Sequence, residues 1–204
     1  MLVKRVSDIE PWVDPDDSRW AGLAEEVVPM MQTPVALQPT QYIRVKWESL
    51  PYGQTASIST RAVHDGKRIA FFCEWQCAVE HKKDAVAIAL PIRGQPILMT
   101  MGSADSPIHF LHWLAGKPGV RSTHSQGIGS TQQGVAVVAD GKGTWNDGVR
   151  RVVITRQLGG FIEGAPLLAG KSSKIGYAVW QGANDERAGL KSFSIDWKPL
   201  DIEV

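Results

Sequence analysis

Residues 56–75 read ASISTRAVHDGKRIAFFCEW, and this stretch decides the fold class. From Ala56 to His64 apolar and polar residues alternate, so Ile58, Thr60, Ala62 and His64 share one face of an extended chain. Asp65-Gly66 is a two-residue hairpin signal, because both residue types tolerate the backbone angles of a tight reversal. Residues 68–75 then return as a second strand. Outward from this hairpin the pattern repeats. Strands are expected at 42–47, 84–92, 108–113, 134–139, 149–156, 174–180 and 191–197, punctuated by Asp140-Gly141 and Asn146-Asp147-Gly148. About ten short strands with turns at short intervals specify an all-β antiparallel sandwich with short helical or irregular insertions. Residues 1–41 are expected to be irregular, because Pro11, Pro15, Pro29, Pro34 and Pro39 prevent any long helix. Asp17 or Ser18 is placed to cap one short turn that includes Trp20.

The chain has 204 residues, which suits one domain spanning 1–204. Hydrophobic residues make up 43% and charged residues 21%, and this excludes a disordered chain or a collagen-like fibre. The net charge of +1 provides no global field to recruit nucleic acid. No apolar stretch approaches the roughly 18 residues of a spanning helix, and residues 1–8 lack a signal-peptide core. Eight Trp against three Tyr is the unusual entry in the composition.

Chemistry-bearing motifs are sparse. The chain contains no GxxxxGK[ST], HExxH, GxSxG or CxxCH motif. Cys73 and Cys77 on one strand lie roughly 13 Å apart, beyond disulfide reach, and are expected as free, core-facing thiols. His109 and His112 are three apart and would point to opposite faces of a strand, which argues against joint metal ligation. Two segments stand out. In residues 98–113 a Met101-Gly102 pair followed by a small polar loop places a soft thioether at the end of a strand. In residues 175–197 a strand ends at Trp180, a polar loop follows, and Lys191 opens the next strand. Read alone, Met101 is also a gap-filling core residue and Lys191 a solvated edge lysine.

Taken together and in order, these segments resemble the haem b-binding gamma subunit of ethylbenzene dehydrogenase. The same family serves the related dimethylsulfide dehydrogenase, selenate reductase and chlorate reductase complexes. The similarity runs in order from about residue 42 to the C-terminus, some four-fifths of the chain. The matching pieces are the hairpin at 61–75, the strand at 84–88, Met101-Gly102 leading into 108–113, then 143–148 with 152–156, and finally 178–182 with 191–197. The resemblance implies one b-type haem whose iron is held by a methionine and a lysine, here Met101 and Lys191. Met99 is the rival for the first position, and Lys171 and Lys174 are weaker rivals for the second. Trp113, Trp180 and Trp197 are expected to line a flat slot for the porphyrin. The resemblance further implies a non-catalytic electron-transfer subunit beside an iron–sulfur beta subunit and a molybdenum-containing alpha subunit. Its external carrier would be a cytochrome c, and its location periplasmic or otherwise extracytoplasmic, although residues 1–8 leave a cytoplasmic location open.

The chemistry of this ligand pair stands apart from the family. Lysine ligates only as the neutral amine, and losing its proton at pH 7 from an ordinary pKa costs roughly 4 to 5 kcal/mol. An apolar pocket lowers that cost. Thioether ligation favours reduced iron. Two readings from other classes remain open at this point. One is a carbohydrate-binding sandwich that stacks sugars on exposed Trp, and the other is a structural subunit without a cofactor.

Overall fold

The computed structural model describes residues 1–133 and 137–204. Its strands are β1 (Leu2–Arg5), β2 (Glu26–Gln32), β3 (Ser57–His64), β4 (Arg68–Gln76), β5 (Ala85–Pro91), β6 (Ile108–Leu114), β7 (Val120–Ser125) and β8 (Gln132–Gln133). They continue as β9 (Ala139–Asn146), β10 (Val149–Gln157), β11 (Gly159–Phe161), β12 (Gly164–Leu167), β13 (Ser172–Trp180), β14 (Ser192–Ser194) and β15 (Lys198–Ile202). One path of paired strands runs β8-β7-β6-β5-β13-β14-β2-β3-β4-β10-β9. It folds back on itself, so that the β7-β6-β5-β13 half faces the β3-β4-β10-β9 half. Short β1 closes the other side by pairing with both β15 and β3. Among the described residues all strand pairings are antiparallel except those two.

Strand alternation builds the core. Val86, Ile88 and Leu90 of β5, Leu111 and Trp113 of β6, and Tyr177 and Val179 of β13 point inward. They meet Ile58 of β3, Phe71, Cys73 and Trp75 of β4, and Val152 and Ile154 of β10. The β3–β4 hairpin lies where residues 56–75 placed it. The Asp65 carboxylate accepts from the backbone of Lys67 and Arg68 at 2.8 and 2.7 Å and so fixes the register His64↔Ile69. Both cysteines are free and buried, as expected.

The structure corrects several expectations. Residues 42–47 form no strand but sit in a helix, α1 (Gln41–Trp47). The Thr40 hydroxyl accepts from the Ile43 backbone at its N-terminus, and Ile43 and Trp47, one helical turn apart, pack together with Tyr52 and Leu190. The Pro-rich segment is not irregular throughout. It contains β2, the strand that joins the two halves of the path through β14 and β3. The capped turn does form, as a 3-10 helix at Ser18–Gly22 with Asp17 accepting from the Arg19 backbone. Trp20 there stacks on Phe72, centroids 5.1 Å apart, and shields the outer face of β4. Asp140-Gly141 marks no turn but lies inside β9. Of the strand expected at 134–139, residues 134–136 lie outside the described residues, 137 and 138 are in no strand, and Ala139 opens β9. Residues 191–197 shorten to β14, because the chain turns away after Ser194 and Trp197 donates to the Pro96 carbonyl.

Trp113 is a core residue. Its ring lies against the backbone of β9, where a side chain at Gly143 would collide with it and a Cβ at Gly141 would sit 2.7 Å from Cδ1. The Gly143→Ala variant should therefore lose about 1 to 3 kcal/mol of stability by overpacking. Urea denaturation reads this directly, and an unshifted midpoint would contradict the placement of Trp113.

Candidate functional site

The same alternation that fills the core leaves a second apolar surface on the outside of β6, β5 and β13. Residues Ala85, Ala87 and Ala178 form its floor, and Phe110, Leu114, Trp180 and Phe193 rise around it. Three small side chains in the centre of a ring of large ones leave a hollow rather than a packed layer. The result is a cavity of about 790 Å³, within the range of cofactor and ligand sites. Three loops complete it: residues 33–39, residues 98–101 with 128–131 alongside, and residues 185–191.

Met101 and Lys191 both line this cavity, on loops that enter it from different parts of the chain. Met101 does not sit at a strand end as expected. It closes a turn in which its N–H donates to the Leu98 carbonyl at 3.0 Å and the Gly102 N–H to the Ile97 carbonyl at 3.1 Å. This is the bond pattern of a Schellman motif, whose terminal position takes a left-handed conformation and is usually glycine. Met101 occupies it at φ 58°, a conformation that costs a non-glycine residue roughly 1 to 2 kcal/mol. The Gly127 N–H holds its carbonyl at 3.1 Å.

Lys191 lies just ahead of β14. Its Nζ sits 5.2 Å from the centre of the Trp180 ring and makes no hydrogen bond or ion pair among the described residues. Burial lowers its amine from the ordinary value to about 8. Next to it His112 meets the Trp180 ring edge-on, centroids 5.2 Å apart. Burial first, then the charges of Arg121 and Lys191, push the imidazole down to about 4, so it is neutral at pH 7.

Of the other residues singled out in the sequence, Trp180 lines the cavity, and its indole N–H donates to the Ala188 carbonyl at 3.1 Å. Trp113 and Trp197 do not line it. Trp113 must point away, because alternation places it on the face opposite Phe110 and His112. Met99 also lines the cavity but is 38% exposed at the rim. Lys171 and Lys174 lie outside it, and Lys174 is occupied by Gln95 at 2.8 Å. His109 faces the core, bonded to Ser122, and burial pushes it down to about 3. Among the described residues no three His, Cys, Asp or Glu side chains are grouped to hold a metal ion. All eight Trp are buried or half-buried, so a platform of exposed Trp for sugars is not present among the described residues.

His112, Phe110 and the alanine floor were not singled out as site residues from the sequence. The signal was there in 84–91, where Ala85, Ala87 and Ala89 alternate with Val86, Ile88 and Leu90.

With the geometry in place, comparison with known proteins adds a direction. The chain is similar to subunits of two reductases. It is 25% identical over 193 residues to a Haloferax mediterranei protein named as a respiratory nitrate reductase heme subunit, with 83% of this chain and 63% of that protein aligned. It is 31% identical over 120 residues to the chlorate reductase subunit gamma of Ideonella dechloratans, with 57% of this chain and 49% of that protein aligned. The chain thus spans about half to two thirds of the length of these relatives. No family model matches. In fold the protein resembles a family 9 carbohydrate-binding module from Caldicellulosiruptor kristjanssonii, solved with glucose (TM-score 0.53, 10% identity, 100% of this chain and 95% of that one). The cellotriose complex of such a module from the same organism gives TM-score 0.51 at 12% identity, over 100% and 93% of the two chains. These likenesses establish the β-sandwich. No helix among the described residues is long and apolar enough to cross a membrane.

The lowered amine has a consequence for stability. Between about pH 8 and its ordinary value of 10.5, Lys191 holds fewer protons in the folded chain than in the unfolded one. Stability should therefore rise with pH across that interval. Urea midpoints compared with a Lys191→Met variant should show this gain in the wild-type protein only; parallel curves would contradict it.

Proposed function

We propose that the protein is an electron-transfer subunit that binds one b-type haem in the cavity on β6, β5 and β13, held by the Met101 thioether and the Lys191 amine. The observation that carries this reading is the convergence of those two side chains, from separate loops, on one apolar hollow with a floor of small residues. The similarity to a named heme subunit and to a gamma subunit supports it.

The residues present suit such a group. Alanine at 85, 87 and 178 leaves room for a flat ring over the sheet, with Phe110, Phe193 and Trp180 as apolar walls. Haem ligated on both faces supplies one-electron exchange and offers no open position to a substrate. The chain's own part is to hold the donors. With the amine lowered to about 8, removing its proton at pH 7 costs about 1 to 2 kcal/mol rather than about 5. The Met101 turn aims a soft donor that favours reduced iron, and the neutral His112 brings no charge to the wall. In this reading the subunit relays electrons between the iron–sulfur subunit of a molybdenum oxidoreductase complex and an external carrier such as a cytochrome c, outside the cytoplasm. Catalysis resides in the partner.

Absorption spectroscopy tests the proposal. Purified protein, or protein given haemin, should display a Soret band and the sharp α-band of low-spin, six-coordinate haem; a chain that stays colourless would reject it. Lys191→Ala should convert the iron to high-spin or five-coordinate. Met101→Gly separates ligation from folding. Glycine relieves the left-handed backbone, so stability should hold or rise by up to about 1 kcal/mol while the six-coordinate spectrum is lost. Met99→Ala should leave the spectrum unchanged.

A further inference from the structure

We infer that the buried carboxylate of Glu186 is a positioning residue for the Lys191 amine, acting through the backbone of Gly53; the inference rests on the reading of Lys191 as a ligand. Residues 181–190 leave β13, cross the cavity and deliver the chain to Lys191. Little regular structure holds this strap. It contains one short 3-10 turn at Gly182–Asn184, and Asp185 and Ala188 are in left-handed conformations at φ 56° and 51°. The residues on either side of Glu186, Asp185 and Arg187, are exposed, whereas Glu186 is only 2% exposed.

Glu186 ties the strap at two points. Its Oε2 accepts from the Gln181 N–H at 2.9 Å, where the strap begins. Its Oε1 accepts from the Gly53 N–H at 2.8 Å, on a different segment of the chain. Asn184 Nδ2 adds a longer contact at 3.5 Å. Among the described residues no cation pairs with the carboxylate, and burial raises its pKa. The arrangement is specific to a carboxylate, because two backbone donors converge on two acceptor oxygens. A glutamine would turn an N–H₂ group toward one of them.

Gly53 passes the constraint to Lys191. It lies at φ 61°, and a Cβ there would sit 2.6 Å from the Lys191 carbonyl oxygen and 2.9 Å from Gln32 Cα. The same carbonyl accepts from the Thr33 N–H at 3.0 Å and the Thr33 hydroxyl at 3.2 Å. The Lys191 backbone is thus gripped on the side that Glu186 anchors. The Lys191 side chain is steered by Trp180, whose indole is fixed by the strap's own Ala188 carbonyl. Among the described residues nothing bonds the amine itself, so its direction depends on this clamp.

Two variants test the inference from opposite ends, Glu186→Gln and Gly53→Ala, each read in two ways. In the haem-free protein, acylation of Lys191 by a succinimidyl ester, followed by mass spectrometry against exposed Lys67 as reference, should be at least tenfold faster than in wild type. In protein loaded with haemin, both variants should lose part of the six-coordinate signal and regain it when a small primary amine such as methylamine is added. A merely structural role would not produce that rescue. Hydrogen exchange in β3, β4 and β10 should stay unchanged, which separates clamp loss from unfolding. If one variant does not fold, the other decides. Wild-type labelling and wild-type spectra in a folded variant would overturn the inference. If wild-type protein takes up no haemin, the ligand reading fails, and the labelling rate alone still decides whether Glu186 orders the amine.

Discussion

The sheet of β6, β5 and β13 is apolar on both faces, and neither face can be left against water without cost. Antiparallel sheets commonly bury one face and solvate the other. Here the inner face packs against β3, β4 and β10 in the usual way. The outer face is covered only around its edge, by Phe110, Trp180 and Phe193 and by three loops, and its centre is alanine. The proposed haem would resolve this imbalance, since it would cover the face and fill the space that Ala85, Ala87 and Ala178 leave. The cavity is therefore a consequence of how the sandwich is built, rather than a cleft added to it.

Two local features carry a cost that folding alone does not explain. Met101 holds a left-handed position where glycine would be easier, and Lys191 places an amine without a partner against an apolar wall. Costs of this kind persist where function maintains them, and here both fall on the lining of one cavity. Read as ligands, the two residues have a common reason. The turn aims the thioether, and burial of the amine reduces the work of removing its proton. The likeness to carbohydrate-binding modules concerns the framework; Met101 and Lys191 lie on loops, where function is placed on a shared scaffold.

The sequence made the local part of this legible and concealed the rest. The β3–β4 hairpin could be read because alternation and turn residues lie side by side in the chain, and β10 because it follows Asn146-Asp147-Gly148, whereas the turn-like Asp140-Gly141 inside β9 hides that strand. Strand β2 could not be read, since Pro29 within it and Pro34 just beyond it suggest irregular structure and its partners, β14 and β3, are remote or short. Helix α1 reads equally well as a strand, because its apolar residues fit either period over so short a span. Trp113 was placed with Trp180 on the strength of its neighbours, although alternation along 108–114 already puts it on the other face. Nothing local joins Met101 to Lys191. The family resemblance paired them, and the folded chain places both in one cavity. Glu186 carried no signal in the sequence, because its role depends on Gly53, far away in the chain.

The central claim is that Met101 and Lys191 hold one iron between them, and X-ray absorption at the iron edge of the haem-loaded protein tests it most directly. The account predicts one sulfur neighbour at bonding distance, lost in Met101→Ala and retained in Met99→Ala, with a nitrogen neighbour outside the porphyrin plane that is lost in Lys191→Ala. An iron with no sulfur neighbour, or one whose sulfur survives removal of Met101, would contradict it.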